Sequence, residues 1–128
     1  MAECVSCKDL NENDLLSNEE IQIFLENSHF WKRNSQNFLS RSFIAKNFQS
    51  ALNFINRVGL LAENNGHHPD IHITSYRNVE IVLFTHSVNG ITQIDINMAR
   101  LIDEIPVEYS PKWYRENFPE KSHQNKST

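Results

Sequence analysis

Residues 48–69 read Phe48-Gln49-Ser50-Ala51-Leu52-Asn53-Phe54-Ile55-Asn56-Arg57-Val58-Gly59-Leu60-Leu61-Ala62-Glu63-Asn64-Asn65-Gly66-His67-His68-Pro69. Phe48, Ala51, Leu52, Ile55, Val58, Gly59 and Ala62 recur at the three- and four-residue spacings of one helical face, and Phe54 and Leu61 widen it. The spacing predicts a helix over about 47–64. Gly66 follows, where helices commonly end on a residue of positive φ. Pro69 biases His68 toward an extended conformation. A long amphipathic helix thus stops, turns and hands the chain to a strand, with two adjacent histidines at the join.

Downstream, Ile71, Ile73 and Ser75 alternate with His72, Thr74 and Tyr76, a strand pattern. Val79, Ile81 and Leu83 alternate with Glu80, Val82 and Phe84, a second strand running into Thr85-His86. Asn89-Gly90 marks a turn, and Thr92 caps a helix of about 92–105. Upstream, Ser17 with Glu20 three residues on is a capping signal, and Ile21, Phe24 and Leu25 make one face of a helix over about 18–27. Phe30–Arg33 and Phe38–Ile44 are strands joined by the turn Asn34–Asn37. The order α-β-β-α-β-β-α predicts an α+β fold, a four-stranded antiparallel sheet with three helices on one face.

The 128 residues suit one domain, here 17–108. Residues 1–16 are polar and aperiodic and are expected to form a flexible tail. Residues 109–128 form a C-terminal extension: Trp113, Tyr114 and Phe118 predict that part of it docks, and 120–128 are expected to be disordered. A net charge of −4 argues against direct nucleic-acid or membrane binding. No apolar run approaches the roughly 20 residues of a membrane span. The N-terminus lacks the basic and apolar regions of a signal peptide, so the expected location is cytoplasmic. Cys4 and Cys7 are the only cysteines, spaced C-x-x-C. In a polar tail without a second pair they read as reduced thiols rather than a structural zinc site.

Three of the six histidines, His67, His68 and His72, fall within six residues, and His86 ends the next strand. Histidine exchanges protons near neutral pH, so His67, His68 and His86 around one cleft would serve acid–base chemistry. Neighbouring side chains alternate along a regular strand, so an irregular helix-to-strand turn is needed for both His67 and His68 to line that cleft. Three histidines also suit a catalytic zinc, although consecutive ligands are an unusual spacing. Asp95 occupies the third position of the helix capped by Thr92, where it completes a capping box. It also shares a helical face with Met98, Ala99 and Ile102, which turns it inward to orient an imidazole. Glu63 reads either as a solvent-exposed carboxylate or as a second support for the histidines. Trp31 and Tyr76 read as core or edge aromatics, or as surfaces against which a flat heterocycle packs. His72 is expected to face outward, and His29 and His123 read as surface residues.

These residues resemble the pterin-4a-carbinolamine dehydratase (4a-hydroxytetrahydrobiopterin dehydratase) family. The motif stands here as Glu63-xxx-His67-His68-Pro69, Tyr76, Thr85-His86 and Asp95. Trp31, Arg41-Ser42-Phe43, Phe48-xx-Ala51-Leu52-x-Phe54 and Gly90-Ile91-Thr92 match the flanks, so the resemblance spans about 17–105. One departure is six residues between Pro69 and Tyr76, where many members have five, which suggests a strand bulge. The resemblance implies the fold derived above. It implies removal of water from a 4a-hydroxytetrahydropterin to give a quinonoid dihydropterin, which recycles the cofactor of aromatic amino acid hydroxylases. It implies no metal and no organic cofactor, and a functional link to such a hydroxylase. His67 and His86 would form the acid–base pair. His68, with Trp31 and Tyr76, would contact substrate, and Glu63 and Asp95 would support the imidazoles. Animal members also act as dimerisation cofactors of a transcription factor, so a non-catalytic binding module is the alternative, and a three-histidine metal enzyme a further one. A homodimer or homotetramer is expected. The strand Val79–Phe84 is apolar on both sides, whereas a strand wet on one face would carry polar residues there.

Overall fold

The structure, a computed structural model, describes residues 10–119. Four helices and four strands follow in the order α1 (Asn18–Glu26), β1 (Trp31–Arg33), β2 (Leu39–Ile44), α2 (Phe48–Asn65), β3 (Asp70–Thr74), β4 (Asn78–Leu83), α3 (Gln93–Asp103) and α4 (Pro111–Asn117). The strands form one antiparallel sheet in the order β1-β2-β4-β3. The predicted α+β class and the antiparallel hairpins are thus present, with β2 and β4 paired at the centre.

Local chemistry sets the helix ends. Ser17 and Glu20 form a reciprocal capping box at α1, and Thr92 and Asp95 another at α3. Asn47 caps α2, and Gly66 ends it at φ 63°, in the left-handed region. On one side of the sheet Leu39 and Phe43 of β2 and Val79, Ile81 and Leu83 of β4 are buried. They pack with Ile21 of α1, with Ala51, Phe54 and Val58 of α2, and with Ile96, Met98, Ala99 and Ile102 of α3. Full burial of Phe54 or Val58 contributes roughly 1.5–3 kcal/mol each. Phe48, expected on the buried face of α2, is half exposed, because the packed stripe begins one turn later at Ala51.

Four expectations change. Residues 11–16 belong to the body rather than to a mobile tail. Asn11 caps a 3-10 turn at Glu12–Asp14, and the Leu16 N–H donates to Ile91 O at 2.9 Å. Leu15 presses on Gly90 so closely that a Cβ there would lie 2.6 Å from Leu15 Cδ2. Cys4, Cys7 and residues 120–128 lie outside the described residues.

The second change is at Tyr76. The β3–β4 register is continuous from Asp70↔Val82 to Thr74↔Asn78, so no bulge interrupts it. The additional residue lies in the connection: Ser75 and Tyr76 take φ 47° and 56°, because three residues reverse the chain only by leaving the extended region. The third is the fourth helix, α4, with Ser110 at its N-cap and Pro111 in its first turn. β1 covers only Leu39–Arg41 of β2, and the segment before α4 pairs with the chain where β2 ends, at Ile44–Lys46. Ser110 N–H donates to Ile44 O, and Lys46 N–H to Glu108 O, each at 2.9 Å.

Fourth, Trp31, which the resemblance would set against substrate, is a core residue, the other reading that its sequence left open. It is buried, and its indole Nε1 donates to Asp103 Oδ1 at 2.8 Å. The same Asp103 oxygen accepts from Arg41 Nη1 at 3.0 Å, while Arg41 Nη2 donates to Tyr109 Oη at 2.8 Å. The Arg41 guanidinium stands 4.1 Å over the Phe30 ring. A buried cation needs such partners to offset its lost hydration. Arg41 therefore ties sheet, α3 and C-terminal extension together.

Candidate active site

The end of β4 and the end of α2 meet at one end of the sheet. The β3–β4 register, continued past Asp70↔Val82, sets His67 opposite Thr85. His67 follows Gly66 directly, and its N–H donates to Ala62 O at 3.3 Å. Its side chain turns inward to α3, where Nε2 lies 2.6 Å from Asp95 Oδ1. His67 is 4% exposed and Asp95 is fully buried.

The other Asp95 oxygen is occupied as well. Oδ2 accepts from Thr85 Oγ1 at 2.8 Å and from the Thr92 N–H at 2.9 Å. Thr85 Oγ1 and Thr92 Oγ1 are 2.9 Å apart, and Thr92 Oγ1 accepts from the Ile94 N–H. A hydroxyl has one proton to give. Thr85 gives its proton to Asp95, so Thr92 gives its own to Thr85. The chain of hydroxyl donors thus ends on Asp95 Oδ2, while Oδ1 is left to face the His67 ring. Buried polar networks are favourable when every member is satisfied in this way.

His68 points elsewhere. Its Nε2 lies 2.5 Å from Glu63 Oε2, and both side chains are exposed. The expected Glu63 and His68 therefore do meet, at the C-terminal end of α2, where a carboxylate alone is unfavourable beside the helix dipole. Exposure screens the pair, so it orients the ring more than it stabilises the fold. His67 lines a small cavity of about 130 Å³ with Asn65, Ile94, Asn97, Met98 and Leu101. His68 lines a wider groove of about 550 Å³ with Leu60, Glu63, Pro69 and Ile71. The two histidines thus alternate in direction as neighbours on a strand do, rather than sharing one cleft. His86 is exposed and opens a 3-10 turn, His86–Val88, closed by Thr85 N–H to Gly90 O at 2.8 Å.

Trp31 and Tyr76 are not brought to this end of the sheet. Trp31 is in the core, and Tyr76 sits at the far end of β3, a strand whose five residues span roughly 16 Å. The sequence reading quoted Thr85 in the motif but gave it no role. The signal was present: Val79, Ile81 and Leu83 face the helices, and Thr85 is next in that alternation. Among the described residues no group of three His, Cys, Asp or Glu is placed to hold a metal ion. No helix among them is long and apolar enough to cross a membrane.

The pattern of the pterin 4 alpha carbinolamine dehydratase family matches residues 14–105. The chain belongs to that family. This places it among the hydro-lyases, and the segment after 105 that carries α4 lies beyond the matched region. A relative from Rubrobacter xylanophilus that carries the family name is 39% identical over 103 residues, 80% of this chain and 94% of the relative. The mitochondrial pterin-4-alpha-carbinolamine dehydratase 2 of Arabidopsis thaliana is 36% identical over 110 residues, 82% of this chain and 57% of the plant protein. A crystal structure described as a transcriptional coactivator/pterin dehydratase from Brucella melitensis matches with a TM-score of 0.64 and 34% identity, over 70% of this chain and 95% of that one.

Proposed function

We propose that the chain dehydrates a 4a-hydroxytetrahydropterin to the quinonoid dihydropterin, with His67 and His86 exchanging the protons and His68 contacting the pterin ring. In the reaction the bond from C4a to the hydroxyl oxygen breaks. The oxygen leaves as water with a proton from one histidine. The neighbouring ring nitrogen gives its proton to another, and its electron pair forms the new C=N bond. The substrate neither gains nor loses electrons, so the step needs no redox cofactor. Positioned acid–base groups typically contribute about 10²–10⁴-fold each to such a step.

The observation that carries this reading is the buried Asp95 carboxyl group, which accepts from Thr85 Oγ1 and the Thr92 N–H and holds the His67 imidazole at 2.6 Å. Glu63 plays the corresponding part for His68. Family membership supports a pterin as the substrate class. The reading carries with it pterin recycling for an aromatic amino acid hydroxylase and assembly as a homodimer or homotetramer.

A stopped-flow assay on freshly generated 4a-hydroxytetrahydropterin tests it. The purified chain is expected to accelerate quinonoid dihydropterin formation in proportion to its concentration. A rate equal to buffer alone, with the chain folded, would overturn the reading and leave a non-catalytic binding role.

A further inference from the structure

Two phenylalanines stand on the sheet face that the helices leave open. The residues of β4 that face the helices are Val79, Ile81 and Leu83, so Glu80, Val82 and, beyond the strand, Phe84 face the other way. Phe84 stacks face to face on Phe38, with ring centroids 4.0 Å apart and planes within 7°. The His86 ring lies 4.3 Å from the Phe84 ring, tilted by 50°. Neither phenylalanine belongs to the core beneath the helices. Their contact runs instead from the β1–β2 turn to the histidine.

Each link in that row is fixed by the one before it. Asn34 Oδ1 accepts from the Phe38 N–H at 3.0 Å, and the Asn34 N–H donates to Phe38 O at 2.9 Å. Phe38 is only 8% exposed and offers Phe84 a flat, immobile surface. Phe84 in turn walls one side of His86, an exposed residue at the start of a short turn whose N-cap, Thr85, makes no side-chain capping bond. An imidazole there would otherwise turn freely about χ1.

We propose that Phe84 is a positioning residue: it holds the His86 imidazole in one rotamer at the active-site edge, and Phe38 braces it. The proposal rests on the dehydratase reading for its effect on rate, because misplacement of a catalytic group is what slows turnover. It does not rest on that reading for the geometry.

Phe84→Leu, which keeps an apolar side chain without a ring, is expected to lower kcat by about three- to tenfold with KM changed less than about twofold. Phe84→Tyr restores the ring and is expected to restore kcat. In a His86→Ala background Phe84→Leu is expected to add less than about a twofold loss, since no imidazole remains to be positioned. A purely structural role would give the same loss in both backgrounds, and that result would overturn the proposal, as would wild-type kcat in Phe84→Leu. Proton NMR supplies a readout independent of turnover. The His86 ring signals, assigned by their loss in His86→Ala, should be displaced by the Phe84 ring current. They should move to free-histidine positions in Phe84→Leu while those of His67 stay. Should the wild-type chain show no dehydratase activity, these signals decide alone, and His86 resonances unaffected by Phe84→Leu would sink the proposal.

Discussion

His67 and Asp95 are 28 residues apart in the chain and 2.6 Å apart in space, Nε2 to Oδ1, both buried. Asp95 simultaneously completes the capping box of α3 and accepts the Thr85 hydroxyl. One carboxylate therefore joins the start of a helix, the end of a strand and the first histidine of the pair. Asp95→Asn keeps the shape but sets an amide N–H against one of these donors. It should destabilise the fold by about 1–3 kcal/mol in urea denaturation and lower turnover at least about tenfold. A variant as stable and as fast as wild type would show that the carboxylate is a cap and nothing more.

His67→Ala and His86→Ala should each slow dehydration by at least roughly tenfold through loss of a proton-transfer group. His86 is exposed, so its variant should keep wild-type stability, whereas His67→Ala also takes away the buried partner of Asp95 Oδ1 and should lower the melting temperature. Circular dichroism alongside the rate assay separates the two effects. Wild-type turnover in both folded variants would remove the acid–base assignment.

Gly66→Ala places a Cβ on a residue at φ 63°. The left-handed conformation costs an L-residue about 1–2 kcal/mol, and the denaturation midpoint should fall accordingly. The strain lies directly before His67, so turnover should fall with it. An unchanged midpoint would mean that the turn relaxes to another conformation.

Asp103 carries a pH signature. Its burial raises its carboxyl pKa above 3.8, against the lowering effects of the Trp31 indole bond and of Arg41. The folded chain then holds the proton to a higher pH than the unfolded chain. The associated stability is fully present below about 3.8 and is lost as pH rises through the raised value. The stability of wild type relative to Asp103→Asn, measured in urea across the acid range, should therefore decline as pH rises. A difference that grows with pH would show that the Arg41 pairing outweighs burial.

β3 is an edge strand of the sheet, and Leu60 on α2 beside it is 66% exposed. Unpaired strand edges and exposed apolar side chains favour association. Light scattering at micromolar concentration should give at least about twice the 15.0 kDa of one chain. A monomer with full turnover would show that one copy suffices. The Trp113–Phe118 segment does not substitute for a partner over Phe84: it packs on Phe30, Phe43 and Tyr109, and Phe38 is the residue that covers Phe84.

What the sequence determined by itself is what neighbours along the chain decide. The Ser17–Glu20 and Thr92–Asp95 boxes lie within one helical turn, and Gly66 answers only to its own φ. The alternation from Val79 to Leu83 records which side of a strand is dry. Each was legible because the interaction spans a few residues. The pairing of His68 with Glu63, one helical turn upstream, belongs to the same class. Tyr76 was misplaced at this level too, since a three-residue reversal through Ser75 and Tyr76 carries no glycine to announce it.

Tertiary structure decided the rest, because periodicity says which face is buried and not against what. The order β1-β2-β4-β3 sets Arg41 beneath Phe30 and within reach of Asp103 and Tyr109. It carries Trp31 into the core. It brings Phe38, from the first hairpin, against Phe84, from the second. The same order delivers the Thr85 hydroxyl to Asp95, the residue that His67 Nε2 faces. These contacts join residues from ten to nearly seventy positions apart, from different strands and helices, so no local pattern announces them.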